Sequence, residues 1–396
     1  MRIPFSIFFF LAGMFSSLSV KAVSIEQTAI DILTKSLSYQ ADNYSLQSAI
    51  SDFKTQSNLP DPEVAGEYLV MPEDVDNRWT VELTWGVEWP GVYGARNKES
   101  KSKISAAQLA LRAQRIEQLA EIKDLLLDYI QCRLKLQLLE ELSQNNDTIY
   151  QLAQKAEKGG ELTLLDLNKV KLEYANIRVA KASVVDEEND IIINLSKIYG
   201  KDCREVVEAM DCKFPEIIIP SEEGIALIKE NSPAVQSALA EAEIARAGKK
   251  VAKMEALPSL SLGYKHSFED AMNFNGATAS ISLPIFSSRG KQKAAQAAII
   301  DAEFRAETMV NEIETETSAT YRRLKNMAMQ IQEIAPIVEN ADYNATLLKA
   351  YQNGAMSLID YISDRNYFTS AALELVALRL NAAKALVALQ KYMATL

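Results

Sequence analysis

Histidine is nearly missing from this 396-residue sequence, in which His266 stands alone. One imidazole excludes multi-histidine metal centres and any mechanism that needs two histidines. Cysteine is almost as scarce: Cys132, Cys203 and Cys212 show no CxxC spacing and cannot furnish a four-thiolate zinc site. No nucleophile and base can be placed together, so the sequence reads as a non-enzyme with no cofactor. Basic residues are also in deficit. Lys and Arg total 42 against 53 Asp and Glu, a net charge of −11, which argues against a nucleic-acid partner and for cationic partners or cation-tolerant surfaces. Apolar runs of 18 residues are missing beyond residue 22, so no transmembrane helix is expected there. What remains, 48% hydrophobic and 24% charged, excludes disorder and supplies ample material for a core.

The first 22 residues differ from the rest. Met1 and Arg2 form a short positive segment, residues 3–20 are almost wholly apolar, and Val20-Lys21-Ala22 ends on a small side chain. This is the pattern of a signal peptide, residues 1–22, cut after Ala22. The alternative, an N-terminal anchor, has a short apolar run for a span. Cleavage removes Arg2 and Lys21, leaving 40 basic against 53 acidic residues, a net charge of −13. No cysteine stands at the cleavage region for lipid attachment, so any membrane insertion of the mature chain must use strands.

Beyond the leader, long helices dominate. Residues 94–159 contain no internal Gly or Pro and are rich in good helix formers. Ile116, Leu119, Ile122, Leu126 and Tyr129 step by three or four, the stripe of a coiled coil. Three further breaker-free intervals, 161–199, 291–335 and 355–396, complete two antiparallel hairpins with turns at Gly159-Gly160 and Gly354. Pro336 predicts a joint in the third. The turns reveal a duplication: Gly160 and Gly354 are 194 residues apart, as are Pro90 and Pro284. We divide the mature chain into a first repeat at 23–200, a connection at 201–220 and a second repeat at 221–396. Each repeat is predicted to open with a single helix, 24–57 or 221–257, followed by two strands and a long hairpin.

The clearest strand is 79–89, where Trp79, Val81, Leu83, Trp85, Val87 and Trp89 alternate with Thr80, Glu82, Thr84, Gly86 and Glu88. Segments 63–71, 259–268 and 277–285 alternate less perfectly. Tyr93 with Gly91 and Gly94 reads as the turn into the helix. Strands of this length with one apolar and one polar face suit a tilted transmembrane barrel. They also suit a soluble sheet packed on helices. The leader and the three tryptophans on one face, Trp79, Trp85 and Trp89, favour lipid. Four strands cannot close a barrel, and an open edge cannot sit in hydrocarbon. Three copies would supply twelve strands, enough for a water-filled lumen.

Several short stretches, in order and at fixed spacing, carry a resemblance: Asn231-Ser232-Pro233-Ala234-Val235, residues 252–260 (AKMEALPSL), Leu283-Pro284-Ile285-Phe286 with Gly290, and Tyr351-Gln352-Asn353-Gly354 with Leu358-Ile359-Asp360. Across essentially the whole mature sequence, the chain resembles the TolC-like outer-membrane efflux proteins. The resemblance implies a mainly α fold with a β-barrel part. Its long antiparallel coiled-coil helices would form a trimeric α-barrel in the periplasm, and four strands per chain would contribute to a 12-stranded transmembrane β-barrel. It also implies a homotrimer in the outer membrane of a Gram-negative bacterium, in contact with outer-membrane lipid. The partners would be a periplasmic adaptor and an inner-membrane pump, and the cargo drugs, metal cations or proteins. In that family the helix tips close the periplasmic entrance. By the same resemblance Asp360 matches the first acid of a ring of the form Asp-x-x-Asp, Ser363 stands where the second is expected, and Asp364 follows. Tyr351 and Asp166 match members of a closing hydrogen-bond network whose basic residue is replaced by Met356.

Read from the residues alone, Thr163-x-x-Asp166 and Ser357-x-x-Asp360 are capping spacings directly after the turn glycines Gly160 and Gly354. Asp360 and Asp364, at i and i+4, share a helix face; if that face lines a pore, threefold symmetry gathers six carboxylates. Cys203 and Cys212 are either a disulfide in an oxidising compartment or two separate buried thiols. His266, on the apolar strand face, reads as an interfacial residue. The competing function is a soluble periplasmic coiled-coil adaptor or scaffold, for which one hairpin between compact β domains is expected.

Overall fold

The computed structural model describes residues 23–72, 76–269, 272–286, 288–339 and 342–393. The leader at 1–22 lies outside the described residues. The first half runs α1 (Ile25–Lys35), α2 (Leu37–Thr55), β1 (Glu63–Leu69), β2 (Arg78–Val87), α3 (Pro90–Lys158), α4 (Leu164–Tyr199) and α5 (Arg204–Glu208). The second runs α6 (Glu222–Asn231), α7 (Pro233–Met254), β3 (Ser259–Glu269), β4 (Met272–Ser282), α8 (Lys291–Val338), α9 (Asp342–Gln352) and α10 (Leu358–Met393). The same order of paired helices, paired strands and long hairpin therefore occurs twice.

The 69 residues of α3 make a rod of about 100 Å at 1.5 Å per residue. It begins before Gly94, at Pro90, because proline lacks only an amide that the first turn leaves unused. The predicted turn at Gly91, Tyr93 and Gly94 is thus the first turn of a helix. There the Tyr93 hydroxyl accepts from the Glu88 backbone N–H at 3.1 Å. A Cβ at Gly91 would stand 3.2 Å from the Met254 sulfur, so glycine lets the end of α7 approach. The stripe Ile116, Leu119, Ile122, Leu126 and Tyr129 is buried. Its last four members pack with Ile32 of α1, Leu195 and Tyr199 of α4, Val207 of α5 and Ala383 of α10. Val23 is tied to the connection by a parallel bridge to Met210.

Each opening helix is two helices rather than the predicted one, broken at Ser36 and at Ser232. Ser36 is extended, and its hydroxyl accepts from the Tyr39 N–H at 3.1 Å, capping α2. Ser232 precedes Pro233, which disfavours helical backbone at the residue before it. Pro336 lies inside α8, which ends two residues later at Val338; α9 then begins at Asp342.

The strands form one antiparallel sheet in the order β1-β2-β3-β4. The central pairing, β2 with β3, joins the two halves of the chain. Trp79 faces Phe268, Val81 faces His266, Leu83 faces Tyr264, Trp85 faces Leu262 and Val87 faces Leu260, so the apolar sides of both strands share one face. The strand boundaries move: β1 ends at Leu69 rather than 71 and β3 at Glu269 rather than 268, and the other two strands shift for physical reasons. β2 stops at Val87, since Trp89 precedes Pro90 and occupies the N-cap of α3. β4 spans Met272–Ser282 rather than 277–285, because Met272 pairs with Glu269 across the hairpin and Pro284 has no amide for a ladder.

The bonded alternative for Cys203 and Cys212 does not hold: all three cysteines are free. Cys203 is buried in the main core, where its sulfur accepts from the Ser196 hydroxyl at 3.3 Å. Cys212 sits at the margin of that core beside the Met210 carbonyl.

Candidate functional site

Two regions concentrate the predicted site residues: the helix tips at one end and the sheet at the other. Both tip turns are built alike. Gly160 and Gly354 adopt φ of +78° and +70°, the left-handed region in which a side chain is strained. The Glu161 N–H reaches back to the Ala156 carbonyl and the Ala355 N–H to the Ala350 carbonyl, each at 2.9 Å. Three residues past each glycine a hydroxyl caps the next helix. Thr163 Oγ1 donates to Asp166 Oδ2 at 2.7 Å and accepts from the Asp166 N–H at 3.1 Å. Ser357 Oγ does the same with Asp360 at 2.7 and 3.1 Å.

The electrostatic settings of the two aspartates differ. Asp166 is half-buried and accepts from Lys169 Nζ at 3.0 Å. The Thr163 hydroxyl first and Lys169 second hold its carboxyl below the usual carboxylate value. Asp360, Ser363 and Asp364 lie on the exposed side of α10, and neither aspartate forms an ion pair among the described residues. The opposite side of α10, with Leu358, Tyr361 and Ile362, joins Ile149 and Ala153 of α3, Leu167 and Val170 of α4 and Leu347 of α9 in a tip core. Tyr351 stacks on Tyr361 at 5.4 Å. Met356 packs against the same core, so a thioether fills apolar space at the position read as the lost basic residue. Asp166 joins neither Asp360 nor Asp364 in an ion pair or hydrogen bond.

One tip residue escaped the sequence reading. Arg365 of α10 is 4% exposed, with its guanidinium 5.8 Å from the Tyr361 ring centre. Burial lowers its pKa, against the opposing pull of Tyr361 and Glu173. Its signal was present: Leu358, Ile362, Arg365, Ala372 and Leu375 follow core spacing, and arginine at such a position marks a buried charge.

In the sheet, Val64, Leu83, Trp85, Leu260, Leu262, Tyr264 and Ile281 are 43–70% exposed although they share one face. No helix covers them, which removes the reading of a sheet packed on helices. Trp79 stacks with Phe268 at 6.4 Å and tilts against His266 at 5.1 Å. Trp85 donates from its indole to the Pro60 carbonyl at 2.8 Å. Trp89 lies beyond the last strand pair. The other face carries Glu63, Glu67, Arg78, Glu82, Lys265 and Glu269. Below it Arg96 binds Glu88 and Glu255, both at 2.8 Å, and Lys291 meets Glu255 at 3.5 Å. This cluster ties the strand-to-helix corners of both halves together.

No family model matches the sequence, and no curated protein matches it significantly. Solved structures do match. A membrane protein from Pseudomonas aeruginosa superimposes with a TM-score of 0.80 at 16% identity, over 94% of this chain and 91% of that one. The CmeC outer-membrane channel of Campylobacter jejuni gives 0.78 at 15% identity, over 99% and 93%. The chain has the fold of the TolC-like outer-membrane channels. VceC, an outer-membrane protein of Vibrio cholerae, agrees with a TM-score of 0.73 at 14% identity over 93% of this chain and 95% of its own. At these identities the TolC-like fold is what is shared. The predicted mainly α chain with two long hairpins and four strands is that fold.

Proposed function

We propose that three copies of the chain form a passive exit duct through the outer membrane of a Gram-negative bacterium. One observation carries the reading: a four-stranded sheet exposes a continuous apolar face, while β1 and β4 each have a neighbour on one side only. In hydrocarbon each unpaired backbone group costs several kcal/mol. Pairing β4 of one copy with β1 of the next removes both edges, and three copies of four strands close a 12-stranded barrel. The second faces then line a lumen, and the long hairpins continue it into the periplasm as an α-barrel.

In this assembly residues 1–22 direct export, and the repeats at 23–200 and 221–396, joined by 201–220, place a hairpin each at six positions around the axis. Asp360 and Asp364, exposed and without an ion pair among the described residues, serve as the acids of the tip constriction. Asp166, Tyr351, Met356, Ser363 and the turn glycines Gly160 and Gly354 shape that constriction. A periplasmic adaptor and an inner-membrane pump supply cargo and energy, and no bond is made or broken by the duct. The soluble adaptor reading is disfavoured by two hairpins where it expects one and by the uncovered apolar face.

The test is expression of the full sequence, followed by membrane fractionation, mass determination in detergent and conductance across planar lipid bilayers. A trimer in the outer-membrane fraction that conducts ions is expected. A soluble monomer that leaves bilayers silent refutes the duct.

A further inference from the structure

The inward face of the sheet holds a carboxylate in a built setting. Glu82 of β2 accepts from the Thr278 hydroxyl of β4 at 3.1 Å and lies 3.4 Å from that of Thr84. β2 and β4 are not neighbours, because β3 runs between them. The contact exists because β3 offers Gly263, directly paired with both Thr84 and Thr278. A Cβ there would stand 2.5 Å from Thr278 Oγ1, 2.9 Å from the Leu83 carbonyl oxygen and 3.2 Å from Thr84 Oγ1. Glycine leaves the space across which Glu82 reaches. No ion pair neutralises it among the described residues. Arg78 pairs with Glu269 at 2.5 Å, and Lys265, opposite Glu82 in register, is exposed and makes no ion pair with it among the described residues.

We propose that Glu82 is a selectivity-determining residue of the barrel wall, three copies forming a fixed anionic ring that favours cationic over anionic solutes leaving the cell. The assignment rests on the trimeric duct above. This carboxylate is held by hydroxyls of its own sheet and lies apart from the tips, so its bias persists whether the tips are open or shut. Three charges about 10 Å from the axis, in water with a Debye length of about 10 Å, predict roughly twofold enrichment of a cation and roughly twofold depletion of an anion, and so an effect of about fourfold on the cation-to-anion permeability ratio. The effect grows as salt is lowered.

The test uses the full-length protein in planar bilayers under a KCl gradient, with ratios taken from reversal potentials. Glu82→Gln and Glu82→Ser, two neutral side chains of different size, are expected to lower the ratio about fourfold, while Glu82→Asp retains it. The same drop is expected when Asp360→Asn and Asp364→Asn are already present, which separates the wall from the tip. Neutral variants that conduct normally with an unchanged ratio overturn the role of Glu82 and leave the duct standing. Silence from the unaltered protein overturns the duct itself.

Discussion

Asp360 has two roles that a pair of substitutions separates: it completes a helix cap and it presents charge. Ser357→Ala removes the hydroxyl that gives 2.7 Å to the carboxylate and takes 3.1 Å from the Asp360 N–H. The charge stays. Loss of such a cap costs about 1 kcal/mol per chain, which in a chain of this size shifts melting by only a few degrees. Asp360→Asn does the reverse. Its carboxamide oxygen still accepts from Ser357, while the charge is gone. Three carboxylates about 6 Å from a passing cation stabilise it by about 1 kcal/mol in total at the dielectric of water and moderate salt, a factor of roughly five in its local concentration, with the inverse factor for an anion. Single-channel reversal potentials and thermal unfolding of the same detergent preparation read both effects. Ser357→Ala is expected to lower the melting temperature and keep selectivity; Asp360→Asn is expected to lower selectivity and keep the melting temperature. An Asp360→Asn channel with undiminished cation preference refutes the pore role, and the aspartate is then a cap alone.

Two further outcomes follow from buried charge. Burial alone would raise the Glu255 carboxyl, but the hydrogen bond and charge of Arg96, with Lys291, hold it below its ordinary value. A depressed carboxyl stabilises the fold above its unfolded pKa and loses that contribution as pH falls through the folded one. Arg96→Ala is therefore expected to cost about 1.5–3 kcal/mol at neutral pH, with the gap from the unaltered protein closing below about pH 4 in thermal unfolding; a gap independent of pH refutes it. For Arg365, burial outweighs its partners, so Arg365→Met is expected to be neutral or to stabilise the tip core by about 1 kcal/mol. A loss of more than that in chemical unfolding shows that the guanidinium is held by compensating bonds.

Much of this fold was legible because period and punctuation speak locally. The stripe from Ile116 to Tyr129 and the alternation from Trp79 to Val87 each placed an element and its buried or apolar side, and Gly160 and Gly354 marked both tips. The errors fell where a neighbour in space or in sequence overrides a local preference. Serine capping at Ser36 and the proline after Ser232 broke helices that composition read as continuous. Pro90 started α3 upstream of two glycines because the first turn tolerates it. The pairing of Met272 with Glu269 moved β4 toward its hairpin, which no alternation in Met272 to Gly276 announced. Contacts between distant segments were the least legible. The clearance at Gly263 and the reach of Thr278 to Glu82 exist only once three strands are in register, and the free state of Cys203 depends on how the connection packs into the main core.

The two tips share one shape, and one difference between them sets their charge. Thr163 with Asp166 and Ser357 with Asp360 reproduce one cap to the same hydrogen-bond lengths. Three residues beyond each aspartate the copies diverge. The first has Lys169, which binds Asp166 at 3.0 Å and neutralises it; the second has Ser363, which offers no charge, and Asp364 adds another negative group on the same side of α10. The first hairpin thus ends in a self-compensated turn and the second in an anionic one. In a threefold assembly such tips alternate around the axis. In the duct proposed above, Asp360 and Asp364 make the α10 tip the place where a cation would be drawn and where mutual repulsion would favour opening, while Asp166 of the first tip is offset by Lys169.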